Sequence, residues 1–156
     1  MKYDWKKFLT FSEALCKDTF WQDDDNTKYR IIVSRAYYAA FHCAQIFLQD
    51  NHWESHQVGG EHEKVISGLK DMKKKSLDFQ RKCKKLGLNL ERLKCRRVQA
   101  DYRDDISFSD SDVKKHLKVS RNIIQHFTTF TPPRKLMKLV YTRPELSPLD
   151  FLRFGP

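Results

Sequence analysis

Residues 28–51 are predicted to form one long helix with a surface suited to a protein core. They contain no Gly or Pro, and small and aromatic side chains recur densely over Ser34-Arg-Ala-Tyr-Tyr-Ala-Ala-Phe-His-Cys-Ala44. With 3.6 residues per turn, Arg35, Tyr38 and His42 fall along one side of this helix. Because a buried charge is costly unless it is paired, an arginine and a histidine on such a helix require a partner or a function.

Apolar spacing elsewhere predicts an all-α fold with about five helices. The four further helices are expected over residues 5–15, 61–72, 77–100 and 110–127. Asn26 or Thr27 is the predicted N-cap of the long helix, and Ser109 with Asp112 resembles a capping box for the last one. Leu86-Gly-Leu88 is expected to interrupt the fourth helix.

The C-terminal end differs in character from the helical part. Pro132-Pro133 stops helical structure, and the apolar residues beyond it are too hydrophobic for a simple disordered end. Residues 1–130 are therefore predicted to be one helical domain. Residues 131–156 are predicted to be a non-helical tail that packs on the domain or on a partner.

Neither the cysteines nor the histidines show the spacing of a metal site. Cys16, Cys43, Cys83 and Cys95 form no Cys-x2-Cys pair and are expected to be small buried apolar residues. His52 and His56 flank Gly59-Gly60 and are interpreted as loop residues. His62 begins a predicted helix, either as an ordinary residue there or as a phosphate contact. We predict no metal and no cofactor.

The charge balance narrows the class of partner. A formal net charge of +10 favours nucleic acid, an acidic protein or an anionic membrane surface. No apolar run is judged long enough to span a bilayer, and Met1-Lys-Tyr-Asp-Trp has no apolar signal region. We therefore expect a cytoplasmic protein with no membrane partner.

Basic residues are densest between positions 70 and 97, where only Asp71, Asp78 and Glu91 oppose them. The plain interpretation is a solvated helical face, and the functional one is a surface for a phosphate backbone. Charge alone does not separate RNA from an acidic partner protein. The residues that would contact RNA are Lys73, Lys74, Lys75, Arg81, Lys82, Lys84, Lys85, Arg96 and Arg97.

Three blocks of the chain resemble the HEPN domain family. They are Arg35-Ala-Tyr-Tyr-Ala-Ala-Phe-His-Cys-Ala44, Gly60-Glu-His-Glu-Lys-Val-Ile66, and Arg97-Val-Gln-Ala-Asp-Tyr102 followed by Ile106 and Phe108. The resemblance implies an antiparallel helical bundle, usually a homodimer. It also implies either a metal-independent ribonuclease with an Arg-x4–6-His motif, or a module without that motif that binds RNA or a partner protein.

In the family the ribonuclease motif lies before the last core helix, where this chain has Arg97 but Asp101-Tyr102 in place of the histidine. We therefore predict a module that binds RNA or a partner complex in a prokaryotic toxin–antitoxin or defence system. The resemblance further implies a nucleotidyltransferase or another defence protein as partner. The alternative is a ribonuclease toxin that uses Arg35 and His42.

Two interpretations of Arg35 stay open at this point. As Arg-x6-His, Arg35 would stabilise charge on a phosphate while His42 acts as general acid or base at the 2′-OH. Alternatively, Arg35 forms an internal salt bridge with Asp101, with Tyr38 or Tyr102 completing the hydrogen bonds. In that structural network His42 is a core or dimer-interface residue.

Overall fold

Five helices form where apolar side chains recur at helical spacing. The computed structural model describes residues 3–19, 21, 24–53, 59–73 and 76–130. The helices are α1 (Lys6–Lys17), α2 (Asp25–Asp50), α3 (Glu61–Lys70), α4 (Leu77–Tyr102) and α5 (Asp110–Phe130). Within those ranges no strand occurs, and the all-α prediction is confirmed. The tail predicted over 131–156 lies outside the described residues.

Helix α2 lies at the centre and packs against the other four helices. Its fully buried side chains include Ile32, Tyr37 and Phe47, and Phe47 stacks on Phe127 of α5 with ring centroids 4.6 Å apart. The N-cap is Asp24, whose carboxylate accepts from two backbone N–H groups of the first turn. The prediction of Asn26 or Thr27 was wrong, because Asp24 is the residue positioned to accept from both of them.

By length and composition alone, α2 could cross a membrane, so the expectation that no segment reaches that length was wrong. Of its most apolar 18-residue window, 61% is buried inside the bundle. The apolar side chains of α2 therefore serve as the core of the helical domain.

Helix α4 runs without a break through Gly87, which corrects the predicted interruption. Gly87 is buried where α4 crosses α3, and a Cβ there would lie 3.0 Å from Lys70 Cγ and 3.2 Å from the Ile66 carbonyl oxygen. The glycine allows the two helices to approach closely. Leu86 and Leu90 are buried on the same helix, and their packing offsets the weak helix propensity of glycine.

Arg30 of α2 holds the segment after α4 against the bundle. Its guanidinium donates to the backbone carbonyls of Ala100 at 2.9 Å, Arg103 at 2.8 Å and Ile106 at 2.6 Å. Carbonyls at the C-terminal end of a helix have no backbone N–H of a following turn to accept from, and Arg30 supplies the donor for them here. Arg30 therefore fixes the end of α4 relative to α2, and nothing in the sequence pattern had singled it out.

The predicted capping box at the start of α5 is confirmed. The Asp112 N–H donates to the Ser109 hydroxyl oxygen at 3.2 Å, and the Ser109 N–H donates to the Asp112 carboxylate at 3.3 Å. Burial of all four cysteines was only partly right. Cys83 is buried, and Cys16 and Cys43 are partly buried. Cys95 is exposed beside the open groove between α3 and α4.

Candidate functional site

The phenol ring of Tyr38 lies where α2, the start of α3 and the end of α4 meet. Guanidinium groups from two helices lie over this ring: Arg35 at 5.8 Å and Arg97 at 4.9 Å from its centroid. The imidazoles of His42 and His62 have their centroids 6.2 Å and 6.0 Å from it. The fold thus brings two arginines and two histidines around one tyrosine.

Arg97 is the inner arginine of this cluster. Its Nε lies 2.7 Å from Asp101 Oδ2, and an N–H of its guanidinium donates to the Tyr38 hydroxyl. Its guanidinium also lies over the exposed ring of Tyr102, 5.5 Å from the centroid. Ser34 lies 3.5 Å from the same Asp101 carboxylate oxygen. Arg97 therefore faces α2 and is largely withdrawn from solvent.

The predicted salt bridge between Arg35 and Asp101 was wrong. Asp101 follows Arg97 by four residues on α4, so the two side chains share one face of that helix and pair locally. Arg35 is exposed, and its guanidinium lies over the ring of Phe8 at 5.4 Å as well as over Tyr38. Within the described residues Arg35 makes no ion pair.

His42 is half-buried and stacked. Its ring lies 3.6 Å from that of Trp5, with 19° between the planes, and its Nδ1 is 3.2 Å from the Gln45 side-chain oxygen. Burial lowers the pKa of His42, partly offset by the hydrogen bond to Gln45. Two helical turns separate it from Arg35, a rise of roughly 10 Å. The two side chains share one side of α2 as predicted, and each of them lies near the Tyr38 ring between them.

His62 also belongs to the cluster around Tyr38. The sequence had left open whether it is an ordinary residue at the start of a helix or a phosphate contact. Its Nδ1 lies 2.7 Å from the Tyr37 hydroxyl oxygen, and its ring packs on Phe41 at 4.3 Å. Burial is the main cause that lowers the pKa of His62, and the nearby positive charges of Arg97 and Lys94 lower it further. The only signal for this role was the position of His62 within a block that resembles the HEPN family.

A separate line of basic side chains runs along the outer face of α4. Arg81, Lys85 and Arg92 fall on one stripe, at positions i, i+4 and i+11, and Lys84 lies beside them. All four are exposed. In the part of the chain that the structure describes, no carboxylate pairs with any of them. These four residues are called the α4 basic line below.

The other residues predicted to contact RNA divide into three groups. Three lie beside a carboxylate: Lys82 is 2.8 Å from Asp78, Arg96 is 3.5 Å from Asp112, and Arg97 turns inward to Asp101. Lys73 is exposed just after α3. Lys74 and Lys75 lie outside the described residues.

The described residues bring no three His, Cys, Asp or Glu side chains together in a group suited to a metal ion. The chemistry of the Tyr38 cluster rests on guanidinium, imidazole and phenol groups. These groups can bind phosphate oxygens and, through a neutral imidazole, accept a proton.

Comparison with known proteins gives one match. The family model described as HEPN domain matches residues 22–128. That range begins just before α2 and ends near the end of α5, so it includes the Tyr38 cluster and the α4 basic line. Searches of curated proteins and of solved structures found no match.

Proposed function

Because the chain belongs to the HEPN domain family, we propose that it is an RNA-binding module that contacts the phosphate backbone through α4. The observation that carries the proposal is the α4 basic line, whose four exposed cations lack carboxylate partners among the described residues. A homodimer, a nucleotidyltransferase or other defence partner, a cytoplasmic location and a toxin–antitoxin or defence context remain predictions.

Unpaired cations on one helix face favour a polyanion over a solvated surface. Lys70 and Lys82 are each neutralised by a carboxylate at 2.7 Å and 2.8 Å, so the chain does pair its α3 and α4 lysines where an acidic neighbour exists. Arg81, Lys85 and Arg92 lie on one stripe of α4 and have no such carboxylate neighbour among the described residues. When such a line neutralises phosphates, the counterions condensed on the RNA are released into bulk solvent, and this release raises the affinity. The net charge of +10 attracts the RNA from a distance.

The triple variant Arg81→Glu/Lys85→Glu/Arg92→Glu is expected to bind unrelated unstructured RNA oligonucleotides more weakly, since phosphate contacts carry no base identity. Loss of three contacts should reduce the slope of log affinity against log salt by about 2 for a single strand. Fluorescence anisotropy titrations over a series of KCl concentrations measure both quantities.

A matched control is Lys7→Glu/Lys115→Glu/Lys118→Glu, which changes the net charge equally on exposed positions of α1 and α5. It should retain most of the affinity and the salt slope of the wild type. If both triple variants lose the same RNA affinity, the loss is caused by the change in net charge and not by the position of the α4 basic line. A folded wild-type protein that binds no RNA would reject the proposal and point to an acidic protein partner.

Metal-independent RNA cleavage is a second candidate function, favoured by the two imidazoles beside Tyr38. Because burial lowers the pKa of His42 and of His62, both rings are neutral near pH 7 and able to take a proton from a 2′-OH. The guanidinium groups of Arg35 and Arg97 lie over the same ring, where they would stabilise negative charge on a phosphate.

For this second function, RNA cleavage should persist in EDTA and be lost in His42→Gln or His62→Gln with unchanged far-ultraviolet circular dichroism. His126→Gln, on α5 away from Tyr38, should cleave like the wild type. Denaturing gels of a labelled RNA provide the measurement. RNA that stays intact with the wild type contradicts catalysis and leaves the binding proposal standing.

A further inference from the structure

Aromatic rings of α1 and its N-terminal approach form a connected set against α2. The Trp5 indole stacks on His42, as described above. Tyr3 meets Trp5 edge-on at 4.8 Å and Phe8 at 5.9 Å, and Trp5 meets Phe8 at 5.4 Å. Trp5 and Phe8 are therefore held between other rings, and Tyr3 is the outer member, with 53% of its surface exposed.

Arg35 adds a positive charge to this set, and no carboxylate among the described residues pairs with it. Its guanidinium lies over Phe8 at 5.4 Å, and Tyr3 contacts the same ring. A half-exposed planar group and a cation thus both contact the Phe8 ring. One nucleotide carries the two complementary groups, a flat base and a phosphate.

We propose that Tyr3 and Arg35 hold one unpaired nucleotide of a single-stranded RNA, with the base stacked on the outer face of Tyr3 and the phosphate beside the Arg35 guanidinium. This inference rests on the proposed RNA-binding function and adds a preference for single strands. Every base has a π face, so stacking tolerates any sequence, whereas bases inside a duplex are not free to stack on a side chain.

Packing against α2 explains the positions of the inner rings, Trp5 and Phe8. It does not explain why the Tyr3 ring and the Arg35 guanidinium lie exposed beside them. Trp5 and Phe8 join α1 to α2 as core-edge residues do. Tyr3 and Arg35 are exposed, so neither contributes a full measure of buried area to stability. An exposed arginine over aromatic rings is also the combination that binds the backbone and bases of unpaired strands.

The test compares the affinity for an unstructured RNA oligonucleotide with that for a duplex of the same sequence. Tyr3→Ala should lower single-strand affinity about tenfold and leave duplex affinity unchanged, and Tyr3→Phe should bind like the wild type because it keeps the ring. A fluorescent adenine analogue in the oligonucleotide, whose emission falls on stacking, should be quenched by the wild type and not by Tyr3→Ala.

Phe11→Ala is the matched control, because Phe11 is 52% exposed on α1 and takes no part in the ring contacts above. The nucleotide site is overturned if Tyr3→Ala and Phe11→Ala weaken binding equally, or if Tyr3→Ala and Arg35→Gln both bind single strands like the wild type. In either case RNA binding that still depends on the α4 basic line preserves the proposed function. A wild type that binds no RNA rejects both.

Discussion

Arg30→Met is expected to lower the free energy of unfolding by about 3–6 kcal/mol. A hydrogen bond from a charged donor contributes roughly 1.5–3 kcal/mol, and two of the bonds that Arg30 donates, to Ala100 and Ile106, are partly buried. The change removes three donors from the carbonyls of Ala100, Arg103 and Ile106 and keeps most of the aliphatic stem. Arg30→Lys should recover only part of the loss, because one ammonium cannot reproduce the planar fork that reaches all three carbonyls. Urea unfolding followed by circular dichroism measures these differences.

Arg103→Met is the control for this experiment. The Arg103 side chain is exposed and its carboxylate partner is Asp105, two residues along the same loop. A surface pair of this kind contributes little, so we expect a change below about 0.5 kcal/mol. An Arg30→Met variant with the wild-type urea midpoint would contradict the role of Arg30, because it would mean that water satisfies the same carbonyls.

The stability of the wild type should fall as the pH drops below neutrality, and His116 should be a large cause. His116 is 5% exposed in α5, and its Nε2 has no hydrogen-bond partner among the described residues. Burial lowers the pKa of His116 from 6.5 to about 4, with a hydrogen bond to the Val33 backbone opposing the shift and Arg96 adding to it. The folded state therefore resists protonation that the unfolded chain accepts.

The sign follows from proton counting. Between the folded pKa of about 4 and the unfolded pKa of 6.5, the unfolded state binds more protons, so stability rises with pH in that window. The contribution is complete above the unfolded value and is lost as the pH falls. For His116 alone the loss between neutral pH and about pH 4.5 amounts to about 2.5 kcal/mol. His42 and His62 add losses of the same sign, because their pKa values are also lowered.

His116→Leu isolates the share of His116, since leucine has a similar volume and does not titrate. The pH dependence of its unfolding free energy should be smaller than that of the wild type by about 2.5 kcal/mol over the same window. His126→Leu, one turn from the C-terminal end of the same helix, is the control for exchanging a histidine for leucine in α5. If the unfolding free energies of the wild type and His116→Leu change in parallel with pH, then protonation of His116 does not destabilise the folded protein, and the prediction is wrong.

Local sequence patterns were enough to predict where the helices lie, because a helix depends on residues three and four positions apart. The apolar spacing around Trp5 to Leu15 and in α2 predicted helices close to their actual positions, and the Ser109–Asp112 box marked the start of α5. The pattern failed at Gly87, where intrinsic propensity predicts a weak point. Contact with Ile66 and Lys70 of α3 makes a glycine suitable there, and that contact is not visible in the sequence.

The candidate site shows the same division between sequence and tertiary structure. Helical periodicity alone placed Arg35, Tyr38 and His42 on one side of α2, and composition alone located the basic stretch that includes the α4 basic line. Arg97 pairs with Asp101 through i, i+4 spacing on α4, a local relation that the sequence already contains. The fold alone decides that Arg35 faces solvent and does not pair with Asp101. His62 joins the cluster for the same reason. The packing of α3 against α2 and α4 sets its distance from Tyr37 and Tyr38, and no spacing along the chain encodes that distance.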